Sequence, residues 1–149
     1  TSIGDSAAGQ SLISPEMYQR FAQPAEAEYR RLTGPGILSL HICGKTNEII
    51  EGMIATGCEV LELDHLNDLE TSLRVARDRC SIWGNLDPSS VICWGSKQKV
   101  LEESRKVLET AKRLSNRFVL CPGCLVNSNT PPENVRAMTE AASKWGILS

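Results

Sequence analysis

One short stretch of this sequence combines a histidine and a cysteine in a way that suits metal chemistry. The run Ile37-Leu38-Ser39-Leu40-His41-Ile42-Cys43 alternates apolar and polar residues, which is the pattern of a half-buried β-strand. Side chains along a strand point to opposite faces in turn, so Leu38, Leu40 and Ile42 share one face and Ser39, His41 and Cys43 the other. An imidazole and a thiol two residues apart on one face make half of a zinc site. The competing reading is a core histidine beside an inert buried cysteine. A second cluster, Cys121-Pro122-Gly123-Cys124, adds two thiols. A thioredoxin-like redox pair would stand at the start of a helix, yet the next helix signal comes only at Thr130-Pro131. Joined with His41 and Cys43, both thiols would close a four-ligand structural site, whereas three ligands with one open position would make a catalytic one.

Carboxylates gather at the same level. In Val60-Leu61-Glu62-Leu63-Asp64 the alternation repeats, sending Leu61 and Leu63 to one face and Glu62 and Asp64 to the other. Asp64, level with His41 and Cys43, is a candidate fourth ligand or catalytic proton acceptor. Carboxylates solvated at a wet mouth are the plainer alternative. Asp5, Asn85 and Asp87 also end strand-like runs, where capping the following loop is the ordinary role of Asp and Asn.

The elements that must hold these residues alternate in type. Strand-like runs begin near residues 37, 59, 80 and 117, and amphipathic helices separate them, the signature of parallel α/β architecture. Ser14-Pro15-Glu16 opens the first helix, with Ser14 as N-cap and Pro15 at its first position. Tyr18, Phe21, Ala25 and Tyr29 are expected on one face of it, with a kink at Pro24. A second helix spans about Asn47 to Thr56 and stops at Gly57, and a third runs over Asp68–Arg79. The strand Cys80–Trp83 leads into a loop, Gly84-Asn85-Leu86-Asp87-Pro88. Ser96 caps a long helix to Leu114, and the strand Arg117–Leu120 follows. Thr130-Pro131-Pro132-Glu133 reads as a capping box opening a helix that ends at Trp145. Thr1–Asp5 reads as the end of a further strand.

This amounts to about four and a half βα units, where a complete TIM barrel has eight in roughly 250 residues. The fold class expected is therefore α/β, half of a (β/α)8 barrel, with residues 1–149 as a single partial domain. In a barrel the apolar strand face packs under the helices and the other lines the lumen. All the candidate residues would then open onto the C-terminal rim, where barrel active sites sit. Ile82 and Val119, or their neighbours, are expected on the lumen face.

Composition removes several alternatives. Sixteen basic and eighteen acidic residues are well mixed, and seven aromatics are scattered, so neither a basic stripe nor a stacking platform marks a nucleic-acid interface. No apolar run approaches the ~20 residues that span a bilayer. The chain opens at Thr1 without a charged-then-apolar leader. Six cysteines spread through regular helix and strand patterns suit reduced thiols in a cytoplasm better than a small disulfide scaffold.

Three segments together carry a family likeness. His41-Ile42-Cys43-Gly44, Gly84-Asn85-Leu86-Asp87-Pro88, and Pro122-Gly123-Cys124 followed by Thr130-Pro131-Pro132-Glu133-Asn134-Val135 resemble the uroporphyrinogen decarboxylase superfamily. Gly4-Asp5-Ser6 with Ser14-Pro15 is similar to its mid-barrel segment. The resemblance covers essentially the whole chain but only the C-terminal half of a member, which implies that the N-terminal half-barrel is absent. Within the superfamily, His-x-Cys with a distant Cys resembles the corrinoid-dependent methyltransferases, including the methylcobalamin:coenzyme M enzymes. True decarboxylases usually carry a histidine in place of Cys124 and lack the His-x-Cys pair.

The resemblance implies that His41, Cys43 and Cys124 bind zinc, whereas Cys121 stands where those enzymes usually have a small non-ligand residue. It implies methyl transfer between a corrinoid (methylcobalamin) on a partner protein and a small acceptor such as a thiol, with zinc stabilising the acceptor as a thiolate. On that reading Asp64 and Asp5 are candidate catalytic residues, and Asn85 and Asp87 are candidate contacts for the corrinoid cofactor. The alternatives are a metal-free porphyrinogen decarboxylase, in which Asp5 would matter most, and a non-catalytic zinc-binding half-barrel. A half-barrel exposes two sheet edges, so self-association or pairing with the missing half-barrel is expected.

Overall fold

The computed structural model describes residues 1–146. Five parallel strands form one sheet in the order β1-β2-β3-β4-β5: β1 (Ser2–Gly4), β2 (Ser39–Ile42), β3 (Val60–Leu63), β4 (Ser81–Leu86) and β5 (Phe118–Pro122). Each strand pairs with the next in sequence, with helices in the crossovers. That is the winding of a (β/α)8 barrel, and the chain forms half of one.

Register sorts the side chains into two rows. Ile3, Leu40, Leu61, Ile82 and Phe118 are aligned across the sheet and pack into the main core beneath the helices. Gly4, His41, Glu62, Trp83 and Val119 form the neighbouring row and face the lumen, where Val119 is exposed. Ile82 therefore lies on the helix side, not in the lumen as expected. Its register with Leu61 and Phe118 sets that side, and its neighbour Trp83 takes the lumen position instead.

Helix α1 (Pro15–Met17), a π turn (Tyr18–Ala22) and α2 (Gln23–Leu32) make one continuous segment. Ser14 caps it as expected, accepting from Met17 N at 3.2 Å. The single apolar face does not survive the π turn. Tyr18 is fully buried, but Phe21 is 60% exposed, and Ala25 and Tyr29 also face outward. Pro24 lacks an N–H, and Gln23 N bonds to Tyr18 O five residues back. The wide turn absorbs the missing bond and rotates the following stripe. Glu26 takes an inward position instead.

Helices α3 (Ile50–Ala55) and α4 (Leu69–Ala76) follow β2 and β3. Ile50 and Met53, then Leu73 and Ala76, pack against the sheet. Asp68 caps α4 by accepting from Thr71 N at 2.8 Å. A π turn over Pro88–Cys93 and the long α5 (Lys97–Leu114) follow β4. Ser96 caps α5, and Val100, Leu108 and Ala111 are buried. Gly84, Asn85 and Leu86 continue β4 rather than forming a loop. Leu86 joins a second core cluster with Ile92, Val100 and Ala137, which gives the strand an inward-facing anchor there.

Helix α6 (Pro132–Trp145) starts without its expected capping box. Thr130 Oγ1 is buried without a partner, because Pro131 occupies the N-cap position. No helix among the described residues is long and apolar enough to cross a membrane.

Candidate metal centre

His41 is the last lumen-facing residue within β2, and Cys43 follows the strand's end on the same side. The orientation of the imidazole is set by the neighbouring strand. His41 Nδ1 lies 3.0 Å from Glu62 O, a carbonyl that can only accept, so Nδ1 carries the proton and Nε2 presents its lone pair. Nε2 points toward Cys43 Sγ at 3.3 Å. Cys43 Sγ donates to Ser6 Oγ at 3.3 Å. Were Cys43 a thiolate, the Ser6 hydroxyl could turn and donate to it.

Cys124 reaches the same point from the loop after β5. Its sulfur lies 3.9 Å from Cys43 Sγ, and all three donor atoms fall within 4.8 Å of one another. The approach depends on Gly123. A Cβ there would collide with His65 N and lie 3.1 Å from Asp64 C, so glycine alone lets this loop pack against the end of β3. Gly123 N also donates to Leu86 O at 2.7 Å.

The donor set fits zinc. Tetrahedral bonds of about 2.3 Å to sulfur and about 2.0 Å to nitrogen place two sulfurs about 3.8 Å apart and a sulfur and nitrogen about 3.5 Å apart. The 3.9 Å and 3.3 Å separations lie close to those values, while the third pair, His41 and Cys124, stands wider, within 4.8 Å. The hydrogen bond from Nδ1 to a backbone carbonyl is the usual way of fixing a metal-binding histidine. Burial pushes the Cys124 thiol up; a backbone hydrogen bond from Leu125 opposes this, and the nearby Cys43 and Asp64 add to it. A divalent cation is the natural counterweight to crowded thiols beside a carboxylate. Three protein donors leave one position of a tetrahedron free, as in catalytic rather than structural sites.

The other candidates occupy distinct places. Asp64 is 6% exposed, and its two oxygens accept from Gly44 N at 2.9 Å and Leu66 N at 3.0 Å. Glu62 lines the lumen cavity with Trp83 and Cys121. Asp5 follows β1, and its backbone N donates to His41 O at 2.9 Å. Asn85 is buried and donates to Asp64 O at 3.4 Å and Asn67 O at 3.0 Å. Asp87 caps the π turn by accepting from Ser89 N and Ser90 N, the ordinary role weighed for it above. Cys121 pairs with Asn85 across the sheet and shares the cavity, but it stands outside the donor trio. Burial raises its thiol, with Glu62 adding to the effect.

Sequence reasoning missed two residues here. His65 lies between two carboxylates, with Nδ1 3.0 Å from Asp64 Oδ1 and Nε2 3.7 Å from Asp87 Oδ2. Its place directly after Asp64, at a strand end, was the available signal. Asn67 ties the rim loops together, and nothing in its local sequence announces that.

Strands, rim and donor trio together define half a (β/α)8 barrel with a candidate metal centre at its C-terminal mouth. Residues 1–145 match the family model described as uroporphyrinogen decarboxylase (URO-D), and the chain belongs to that family. It is 32% identical to the methylcobamide:CoM methyltransferase MtbA of Methanosarcina acetivorans over 96% of this chain and 41% of that protein. It is 30% identical to a uroporphyrinogen decarboxylase of Prochlorococcus marinus over 95% of this chain and 40% of that one. A solved methyltransferase structure from Methanosarcina mazei superimposes with a TM-score of 0.88 at 26% identity, covering 98% of this chain and 42% of that one. The chain thus spans about two-fifths of the length of these relatives.

Proposed function

We propose that the protein containing this chain is a zinc-dependent methyltransferase that moves a methyl group between a corrinoid carried by a partner protein and a small thiol. The observation that carries this reading is the convergence of His41 Nε2, Cys43 Sγ and Cys124 Sγ within 4.8 Å. Relatives named as methylcobamide:CoM methyltransferases support it. His41, Cys43 and Cys124 would hold the ion. Zinc, when bound, supplies a Lewis acid that favours the thiolate form of an acceptor thiol.

The residues of the chain then have definable tasks. Glu62 O keeps the His41 proton on Nδ1, so that Nε2 is the nitrogen that offers its lone pair to the ion. Ser6 Oγ is placed to donate to Cys43 Sγ and temper its charge. Asp64, whose charge reaches Cys124, would take the acceptor's proton or serve as an exchangeable fourth ligand once it yields a backbone hydrogen bond, although Glu62 is the carboxylate that lines the cavity. Trp83 and Val126 line the cavity beside the trio and would keep water from the acceptor's sulfur. Asp5, Asn85 and Asp87 stand on the rim over which a corrinoid would have to approach.

The test uses the full-length protein. Elemental analysis is expected to give about one zinc per protomer, with loss in His41→Ala, Cys43→Ala and Cys124→Ala. Methyl transfer from methylcobalamin to a thiol is expected to fall with the zinc. Metal retained undiminished in all three variants would overturn the assignment.

A further inference from the structure

Asn67 is 6% exposed, and every hydrogen-bonding position of its amide is used. Oδ1 accepts from Thr46 N at 2.6 Å and Thr46 Oγ1 at 3.0 Å. Nδ2 donates to Gly44 O at 2.9 Å and to Asp64 O at 3.1 Å. Its own carbonyl accepts from Asn85 Nδ2 at 3.0 Å. One side chain therefore joins the loop that follows Cys43 to the loop that follows β3, and its backbone joins both to β4.

Two further contacts carry that tie to the donor atoms. Gly44, whose carbonyl Asn67 holds, directly follows Cys43, and its N–H is held by Asp64 Oδ2 at 2.9 Å. On the other side, Gly123 packs on the backbone of Asp64 and His65, and Cys124 follows it. Cys43 and Cys124 are 81 residues apart in the chain, yet both loops rest on the segment that Asn67 fixes. Side-chain amides with all positions filled hold a loop in one arrangement, because each broken bond leaves a buried group unsatisfied.

We propose that Asn67 is a positioning residue for the metal centre: it sets the separation of the Cys43 and Cys124 sulfurs by clamping the β2 and β3 loops together. The inference rests on the zinc reading above. It concerns a residue that touches neither the donor atoms nor the cavity, and that reaches the two cysteines only through the backbone of the loops that carry them.

The test compares Asn67→Ala with Asn134→Ala in the full-length protein. Asn134 is also buried and also holds two carbonyls, Ile92 O at 2.9 Å and Gly95 O at 2.7 Å, but it ties α6 to the loop before α5. Zinc and cobalt(II) affinities are measured by chelator competition, alongside the thiolate-to-cobalt charge-transfer band and thermal unfolding. Asn67→Ala is expected to lose about 10- to 100-fold in metal affinity and to alter the cobalt band. Asn134→Ala is expected to lose stability while keeping both metal readouts. Thr46→Val, which removes only the hydroxyl bond to Oδ1, is expected to weaken metal binding in the same direction by less, and it serves if Asn67→Ala does not fold. Unchanged affinity in Asn67→Ala and Thr46→Val, or an equal loss in Asn134→Ala, would overturn the inference while zinc binding by the unaltered protein stands. An unaltered protein that takes up neither metal would overturn the zinc reading and this inference with it.

Discussion

Gly123→Ala is the smallest change that should separate the two thiols without touching either. The added Cβ would sit inside 3.0 Å of His65 N and 3.1 Å from both Asp64 C and His65 Cβ, whereas ordinary contact begins at 3.4 Å. The neighbours are mostly backbone at the end of a buried strand, so the Pro122-Gly123-Cys124 loop has to move rather than they. Restoring normal contact takes a displacement on the order of 1 Å. Metal sites tolerate departures of only about 0.2 Å in ligand distance, so Cys124 would leave the coordination sphere. The overpacking itself should cost about 1–3 kcal/mol, which leaves a folded protein with a lowered Tm. The assay is zinc content after dialysis against a chelator, read with a thermal melt and compared with Cys124→Ala. Metal content in Gly123→Ala is expected to match that of Cys124→Ala. A folded Gly123→Ala protein that keeps its full zinc would refute the claim that close packing of this loop on β3 places Cys124.

Cys121→Ala should retain zinc in the full-length protein, because its thiol stands outside the donor trio; metal loss there but not in Cys124→Ala would reverse the ligand choice. Burial raises the carboxyl pKa of Glu26 above its ordinary value of 4.5, and Tyr18 Oη donates to Oε2 at 2.6 Å. A raised folded pKa means that the stability Glu26 contributes is full below the unfolded value and is lost as pH rises through the folded one. Glu26→Gln should therefore flatten that decline, and urea melts between about pH 4 and pH 7 should show the wild type losing ground to the variant; parallel profiles would count against it. The isolated chain presents β1 and β5 as unpaired sheet edges and is expected to self-associate or to pair with a complementary half-barrel. Light scattering that finds a folded monomer at all concentrations would contradict this.

The placing of His41 and Cys43 side by side was legible because strand alternation is a rigid rule, whereas the choice of Cys124 over Cys121 came from the family resemblance. Once Leu38, Leu40 and Ile42 face the helices, His41 and Cys43 can only face the lumen, and the parallel winding brings the loop after β5 to the same rim. Errors fell where one residue of slippage changes the outcome. The π turn before Pro24 put Phe21 and Tyr29 outside. Register with Leu61 and Phe118 put Ile82 on the helix side and Trp83 in the lumen. Asn67 was invisible for a different reason. Its partners Thr46 and Gly44 lie on another loop, 21 and 23 residues away, and no local spacing encodes such a tie.

Identity alone does not choose between the two activities represented among the relatives. The chain is 32% identical to a methylcobamide:CoM methyltransferase and 30% identical to a uroporphyrinogen decarboxylase, over nearly the same span. The choice rests on what three side chains would cost if they held nothing. Two thiols 3.9 Å apart beside an imidazole gain little from one another, since sulfur is a weak donor and a weak acceptor. Burial and a nearby carboxylate also disfavour ionisation of the Cys124 thiol. Apolar or hydroxyl side chains would serve a metal-free pocket at least as well. A bound cation turns each of those liabilities into a favourable interaction, because it stabilises both thiolates and uses the imidazole lone pair that Glu62 O keeps available. With the full-length protein, methyl transfer from methylcobalamin to a thiol is therefore expected to be abolished by chelation and restored by zinc. Porphyrinogen decarboxylation that proceeds undisturbed in chelator would overturn this choice.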